Sequence, residues 1–275
     1  MIRPVTLIRP GAGWFDLDLG GVWHNRELLW QLILRELRVR YKQAALGVAW
    51  AILQPAFTVL IFTVIFGVFA RFRSSGGMPY PVFVLAGVLP WTYFAEAVRR
   101  SATGLVTSSE LVRKIYFPRL VIPLAGVGSP IADFGFGLLL LLALMVWYGV
   151  APSWSLLTLP LWTLVTMALA LSLGLWLSPL NVRYRDVTHT IPFVIQIWMF
   201  ASPIAYPLSM VPEKWRSLYS LNPLVGIIEG FRWSLLGTAQ PDLRAVMIAI
   251  TLIAVSLLAG LVYFRKMERS FADVI

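Results

Sequence analysis

Ionisable side chains that interrupt apolar stretches are the residues of this sequence best placed to do chemistry. Glu96 and Asp133 are two of them, and Glu229 and Arg232 join them if the segment that carries them re-enters the membrane. A charge at the centre of a bilayer costs about 2.5–3.5 kcal/mol on insertion scales, so each is expected to have a partner or a function. They are too few to form the chain of acids that a proton or sodium path requires.

Spacing predicts partners for three of these four residues. Two arginines follow Glu96 at three and four residues, so we favour local ion pairing over contact with a substrate. Glu229 and Arg232 are three residues apart, which suits a self-contained ion pair on one face of a helix. Asp133 has no such neighbour in sequence, and we expect it either to hydrogen-bond across helices or to face a cavity.

The sequence lacks the motifs of common enzymes. It contains no G-x-x-x-x-G-K-[ST] and therefore no P-loop for nucleotide phosphates, and no H-E-x-x-H or G-x-S-x-G. The two histidines, His24 and His189, are far apart, and the absence of cysteine excludes disulfides and Cys-ligated metals. We therefore expect no catalytic residue, no metal site and no cofactor site in this chain.

Composition places the chain in a membrane. Of its 275 residues 59% are hydrophobic, and the mean hydropathy is +0.77, whereas soluble domains are about 45–50% apolar. The net charge of +10 would suit nucleic acid, but the basic residues flank apolar segments instead of sharing one soluble face. Such charges set orientation and meet membrane lipids, and no nucleic-acid partner is expected.

Apolar stretches predict an all-α protein with six transmembrane helices, since a crossing takes about 20 apolar residues. Span five is the shortest of these stretches and is interrupted by proline. The predicted spans cover residues 48–70, 81–101, 121–149, 157–178, 191–207 and 245–264.

The distribution of basic residues predicts the topology. With the N-terminus in the cytoplasm, 17 of the 23 lysine and arginine residues fall on the cytoplasmic side, as the positive-inside rule requires. Residues 1–25, which have no apolar core like that of a signal peptide, and residues 266–275 are then cytoplasmic tails.

Residues 26–44 are predicted to form an amphipathic helix that lies in the membrane interface. A simple juxtamembrane extension of span one is the alternative. The apolar face carries Leu29, Ile33, Leu37 and Tyr41, and the polar face carries Glu27, Gln31, Arg35, Arg38 and Lys42.

The cytoplasmic loop 107–123 is predicted to hold a short docking helix, a tight turn being the alternative. Thr107 and Glu110 have capping-box spacing, and Pro118 ends the helix about two turns later. Arg113 and Lys114 are predicted to face solvent. The side chains available to pack are Leu111, Ile115 and Tyr116.

The external stretch 208–243 is too polar to span a membrane and too apolar to be a free loop. Residues 221–236 are predicted to form an amphipathic segment that dips back into the membrane. Irregular backbone is tolerated there only when it is buried in protein or lines a wet cavity, so this segment is a candidate gate.

Aromatic side chains within the spans are candidate contacts for a glycan, because their faces pack against the apolar faces of sugars. Contact with lipid or with the protein core is the alternative for each. The candidates are Phe57, Phe62, Phe66, Trp91, Tyr93, Phe94, Trp198 and Phe200.

Five segments together resemble the permease subunits of ABC-2 type transporters, particularly those that export O-antigen, capsule or teichoic-acid polysaccharides. The resemblance covers the chain from about residue 26 to its end, with the segments in family order. They are RYKQAALGVAWAILQPA (40–56), ELVRKIYFPRLVIP (110–123), LNVRYRDV (180–187), SPIAYPLSMVP (202–212) and LNPLVGIIEGFRWSLLG (221–237).

The resemblance implies an ATP-driven exporter of a lipid-linked polysaccharide, most directly O-antigen, in the bacterial cytoplasmic (inner) membrane. Residues 45–265 would be the six-span domain of a homodimer, served by two copies of an ABC ATP-binding subunit that bind ATP and Mg. Spans one, two and five would line the channel. An ABC-2 permease for a lipid or a drug is one alternative, and an ion-coupled secondary transporter is another.

The resemblance also implies roles for individual residues. The coupling helix that docks the ATPase would comprise Glu110, Leu111, Val112, Arg113, Lys114, Ile115 and Tyr116. Gate helices on the external side would match residues 208–237, with Asn222, Pro223, Glu229 and Arg232 in the gate region.

Overall fold

The computed structural model describes residues 19–42, 47, 49–71, 77–268 and 271, and within these residues the regular structure is entirely helical. The predicted all-α fold is confirmed for this part of the chain. The helices are α1 Leu19–His24, α2 Arg26–Lys42, α3 Ala49–Phe62, α4 Tyr80–Thr107, α5 Ser109–Lys114, α6 Val121–Gly128, α7 Ile131–Trp147, α8 Leu159–Arg183, α9 Val187–Phe200, α10 Glu213–Tyr219, α11 Pro223–Leu236 and α12 Leu243–Glu268.

Five helical segments are long and apolar enough to cross a membrane. They correspond to the predicted spans one, two, three, four and six, and these numbers are kept below. Their bounds are Ala49–Phe69, Tyr80–Thr107, Val121–Trp147, Trp154–Arg183 and Leu243–Glu268.

The segment predicted as span five contains a shorter helix. Helix α9 begins at Val187, ends at Phe200 and has 14 residues, which gives it a length of about 21 Å against the ~30 Å of a hydrocarbon core. Residues 201–207 are not helical. Two prolines in this stretch explain the helix end, because proline lacks the donor and the space that a following turn requires.

Three other spans differ in detail from the predicted segments. Span one ends in a π-helical stretch, Thr63–Phe69. Span three is divided at Ser129 and Pro130 into α6 and α7, since proline starts a helix well but interrupts one that is under way. Span four continues to Arg183 through Pro179, beyond the predicted end at residue 178.

Span two is the centre of the fold. In its most apolar window 78% of the residues are buried, against 11% in span one. It packs against α6, α7, α8 and α11, and Gly126 of α6 allows close contact, because a β-carbon there would lie 2.6 Å from the backbone nitrogen of Ser101. Span one and α9 lie at the edge of this body.

A second apolar cluster gathers the helix ends on the predicted cytoplasmic side. Leu32 of α2, Leu105 of span two, Val112 of α5 and Phe264 of span six meet in it. Helix α2 therefore presents its apolar side to the protein, mainly to α6, while Arg35 and Arg38 are exposed. The predicted division into an apolar and a polar face is confirmed over Arg26–Lys42; residues 43–46 and the tail segments 1–18 and 272–275 lie outside the described residues.

Candidate functional site

A cavity of about 350 Å³ lies between spans one, two and three and helix α9. Spans one and two and the region of predicted span five are the elements that the resemblance assigns to the channel. The lining residues are Arg40, Ala51, Gln54, Pro55, Thr58, Val88, Leu89, Trp91, Thr92, Tyr93, Ala95, Glu96, Arg99, Pro130, Asp133, Phe134, Gly137, Pro192, Ile195, Gln196 and Met199.

The lining of the cavity changes from charged to apolar along span two. Glu96 and Arg99 lie nearer the cytoplasmic end of that helix in the predicted topology, and Val88, Leu89 and Trp91 lie one to three turns deeper. An amphiphile matches such a lining, because its polar head finds hydrogen-bonding groups while its apolar part stays out of water.

Glu96 is paired with the two arginines that follow it, as predicted. Its carboxylate oxygens lie 2.7 Å from Nη2 of Arg99 and 2.6 Å from Nε of Arg100. Nη1 of Arg40 approaches to 3.8 Å from a different helix. Glu96 thus lies beside three arginines, of which Arg40 and Arg99 line the cavity.

Asp133 has partners that its own stretch of sequence does not show. It accepts a hydrogen bond from Nη1 of Arg40 and another from the hydroxyl of Tyr41, and it also lines the cavity. Burial, together with the bond to Asp133, raises the pKa of Tyr41 to about 12, so the phenol stays a donor over the physiological range. Both expectations for Asp133, a bond across helices and a cavity, are met.

A further acid completes this charged cluster. Glu36 of α2 lies 3.0 Å from Nη1 of Arg100 and accepts a 2.6 Å hydrogen bond from the hydroxyl of Ser129. Sequence reasoning had not singled out Glu36 or Arg40. Their spacing of four residues on α2 places them on one helix face, and that signal could have marked the face that meets the spans.

Trp91, Tyr93 and Phe94, which the sequence analysis named as candidate channel-lining aromatics, are buried in the subunit. Phe94 is 0% exposed and packs edge-on against Trp198 at 5.4 Å. Tyr93 donates a 2.9 Å hydrogen bond to the carbonyl of Val127. Trp91 and Tyr93 reach the cavity wall, whereas Phe94 is not among its lining residues.

The other predicted aromatics occupy the edge of the molecule. Phe57 on span one and Phe200 at the end of α9 are exposed. Phe62 and Phe66 are partly buried and form an edge-to-face pair at 5.7 Å. The placement of these four rings at the surface is compatible with a channel, with lipid or with a partner chain.

The short helix predicted in the loop 107–123 is present and ends earlier than predicted. Helix α5 has six residues, Ser109–Lys114, and its one buried side chain is that of Val112. Ile115 and Tyr116 follow it, 54% and 78% exposed. Two exposed apolar side chains next to a short helix that is anchored in the core are well placed to contact another protein.

The predicted capping box of this helix is wrong. Thr107 is the last residue of span two, and its hydroxyl donates to the carbonyl of Thr103 at 3.0 Å. The N-cap of α5 is Ser108, which makes no side-chain capping bond. Glu110 instead pairs with Lys114 at 2.7 Å across one exposed turn.

The stretch 208–243 contains α10 and α11, and α11 begins two residues later than the predicted amphipathic segment 221–236 and ends with it. Asn222 caps α11 through Oδ1, 3.1 Å from the amide of Leu224, and Pro223 occupies the first turn, where its missing N–H is not needed. Gly237 ends the helix with a positive φ of 63°.

Helix α11 is buried on most of its surface, which is one of the two conditions under which the candidate gate segment could lie at membrane depth. It packs against spans two, four and six. Glu229 and Arg232 form the predicted ion pair at 2.9 Å, and Arg232 is 1% exposed. The segment is thus part of the subunit core.

In the described part of the chain, no group of three or more His, Asp or Glu side chains is arranged to hold a metal ion. The helices, the spans and the cavity define a multi-pass helical membrane protein.

Comparison with known proteins specifies the class. The model of the family described as ABC-2 type transporter matches residues 27–236, so the chain belongs to the ABC-2 type transporter family, whose members are membrane subunits with the ATPase activity in a separate subunit.

Alignments with three related proteins cover almost the whole chain. It is 31% identical to the O-antigen export system permease protein RfbA of Myxococcus xanthus, over 92% of this chain and 97% of the relative. It is 27% identical to a protein of the same name from Klebsiella pneumoniae, over 90% and 95%. It is also 27% identical to the polysialic acid transport protein KpsM of Escherichia coli, over 87% and 93%.

Proposed function

We propose that this chain is the channel-forming permease subunit of an ATP-driven exporter that moves a lipid-linked polysaccharide, O-antigen in the first place, across the bacterial cytoplasmic (inner) membrane. The observation that carries the proposal is its similarity to an O-antigen export permease over 97% of that protein. An alignment that includes the cytoplasmic helices, the spans and the external segment favours a shared transport task, beyond a shared membrane fold.

The cavity supports a cargo with both polar and apolar parts. Arg40, Arg99, Glu96 and Asp133 line its charged end, and Val88, Leu89 and Trp91 give it an apolar wall. Cations at the cytoplasmic end suit the anionic head of a lipid carrier, and the apolar wall suits its hydrocarbon.

A homodimer would complete the path. Span one and α9 border the cavity but are the least covered membrane helices of the subunit. On α9 the side chains of Phe193, Ile197 and Phe200 all point out of the subunit. In the proposed dimer a second copy covers these faces, and the two cavities open towards the seam.

Energy would come from two copies of an ABC ATP-binding subunit that bind ATP and Mg and dock on α5. The exposed pair Ile115 and Tyr116 offers the contact. Val112 extends from the same helix into the cluster that holds Leu105 and Phe264, so a push on α5 reaches spans two and six through packed side chains.

The proposed topology has six crossings and both termini in the cytoplasm. Helix α9 is too short to cross alone, and we assign the rest of the fifth crossing to residues 201–207. Ser202, Ile204 and Ala205 are buried there, which meets the condition for non-helical backbone at membrane depth.

Inactivation of the gene in its bacterial host tests the proposal. We expect surface polysaccharide to be lost and lipid-linked polysaccharide to accumulate on the cytoplasmic face, and both to be reversed by the intact gene on a plasmid. If the mutant has normal surface polysaccharide but fails to export a different lipid or a drug, polysaccharide is not the cargo. The chain would then be an ABC-2 permease for that other compound.

A further inference from the structure

Arg232 is a fully buried cation at the meeting point of three parts of the subunit. It belongs to α11, and its Nη1 lies 2.9 Å from Oε1 of Glu229 on the same helix. Its Nη2 donates a 2.7 Å hydrogen bond to the carbonyl of Ile204 in the segment 201–207. Its guanidinium carbon lies 3.7 Å from the ring centroid of Phe83 on span two.

Span two is shaped to receive this side chain. Gly87 lies one turn after Phe83, on the same helix face. A β-carbon at Gly87 would lie 2.9 Å from Nη2 of Arg232 and 3.1 Å from the carbonyl oxygen of Ile204. Only glycine therefore leaves room for the guanidinium and the carbonyl to meet on the surface of span two.

Further hydrogen bonds hold the segment 201–207 to the same helices. The hydroxyl of Tyr80, at the start of span two, donates to the carbonyl of Ala205 at 2.6 Å. The side-chain amide of Asn222, the N-cap of α11, donates to the carbonyl of Ala201 at 3.0 Å and to the hydroxyl of Ser202 at 3.1 Å.

Two of the contacts of Arg232 lie outside the ion pair, whereas its Nε has no hydrogen-bond partner in the described part of the chain. Glu229 alone would neutralise Arg232, and burying the pair is costly unless the remaining donors are bonded. Here Nη2, a donor that the ion pair does not use, connects the segment 201–207, and the contact with the Phe83 ring connects span two. A cation–π contact is stronger in a desolvated site than at an exposed one, and a hydrogen bond to a charged group is stronger than one between neutral groups, so both contacts stabilise the connection.

We propose that Arg232 is a positioning residue, the joint that makes span two, residues 201–207 and helix α11 move as a single body during transport. The proposal rests on the proposed export function. It implies that the external side opens by movement of this body against span one or against the second copy. It also implies that α11 does not lift away from span two.

A covalent cross-link between span two and the segment 201–207 tests the proposed joint directly. The chain has no cysteine, so the double variant Tyr80→Cys, Ala205→Cys can be joined by a short bifunctional thiol reagent within the assembled exporter in membranes. We expect the cross-linked exporter to keep at least half of the ATP-dependent export activity of the wild-type protein. At least a tenfold loss of export on tying would overturn the proposal, since it would mean that the segment separates from span two in each cycle.

A variant that lacks the guanidinium of residue 232 provides the second part of the test. Arg232→Met in the Tyr80→Cys, Ala205→Cys background should lower export at least tenfold before cross-linking, and cross-linking should restore most of it. A defect that cross-linking does not restore, with the complex still assembled, would contradict the joint. So would undiminished export by the uncross-linked triple variant.

A matched control separates the joint from the loss of any external arginine. Arg216→Met removes an arginine that pairs with Glu213 at the surface, and we expect its export to equal that of the wild-type protein. The wild-type chain in the same assay distinguishes the two claims: no export by it would count against the proposed function, whereas the cross-linking outcomes bear on the joint alone.

Discussion

The carboxylate of Asp133 binds the guanidinium of Arg40, a residue 93 positions earlier in the chain. This contact fixes α2, which lies outside the spans, to α7, which lies within span three. Because Glu96 and Arg99 line the same cavity, the helix that precedes span one and the charged wall of the cavity form one structural unit. A movement of α2 is therefore expected to change the shape of the cavity.

Removal of the acid should destabilise the protein. Asp133→Ala leaves the Arg40 guanidinium and the Tyr41 hydroxyl without their acceptor, and we expect a cost of about 1–3 kcal/mol, seen as a lower midpoint of thermal unfolding in detergent. The double variant Arg40→Met, Asp133→Ala should recover part of the loss. The surface variant Glu213→Gln should leave the midpoint unchanged, and an equal midpoint for Asp133→Ala would show that the contact contributes nothing.

The exposed end of the docking helix should determine assembly with the ATP-binding subunit. Tyr116→Ser removes an aromatic ring that is 78% exposed, so we expect folding to be preserved and co-purification of the ATP-binding subunit to fall at least tenfold. Trp215→Ser is the matched control, an exposed aromatic on the external side in the proposed topology. Equal loss of the partner in both variants would argue against α5 as the docking site.

The cavity should be sensitive to filling. Gln54→Trp and Gln196→Trp place a large ring at the cavity lining, on span one and on α9. We expect export to fall at least tenfold while the amount of assembled complex stays the same. Leu139→Trp adds a comparable ring on the exposed side of span three and should export normally. Full export by both glutamine variants would remove the cavity from the transport path.

Cysteine cross-linking should reveal the dimer seam. In a chain without native cysteine, Ile197→Cys on α9 should give a disulfide-linked dimer in membranes after mild oxidation. Leu164→Cys on span four is the control, because that side chain is similarly exposed, at 60% against 54% for Ile197, but belongs to neither of the two helices assigned to the proposed seam. If Leu164→Cys gives a disulfide-linked dimer and Ile197→Cys gives none, the dimer seam does not lie at α9.

Long apolar stretches made the spans predictable. Spans one, two, four and six were located to within a few residues at most ends, because a membrane helix needs only length and apolar composition. The sequence also indicated α2 and α11 through their amphipathic patterns. The break at Pro130 was missed because the apolar run continues through it.

Partners distant in sequence were not predictable. Nothing near Asp133 indicated Arg40, since the contact depends on how α2 packs against span three. Phe94 could not be assigned to the core from its type alone, because adjacent aromatics on a helix point in different directions and composition does not say which direction is buried. The capping-box prediction failed at Thr107 since span two continues to that residue, and its hydroxyl bonds within the helix.

Transport by the purified protein in liposomes tests the central claim, that this subunit moves its cargo with energy taken from a separate ATPase. We expect a lipid-linked polysaccharide to cross the bilayer only when the chain is reconstituted with its ATP-binding subunit and supplied with ATP and Mg. Transport by this chain alone, driven by an ion gradient, would contradict the account.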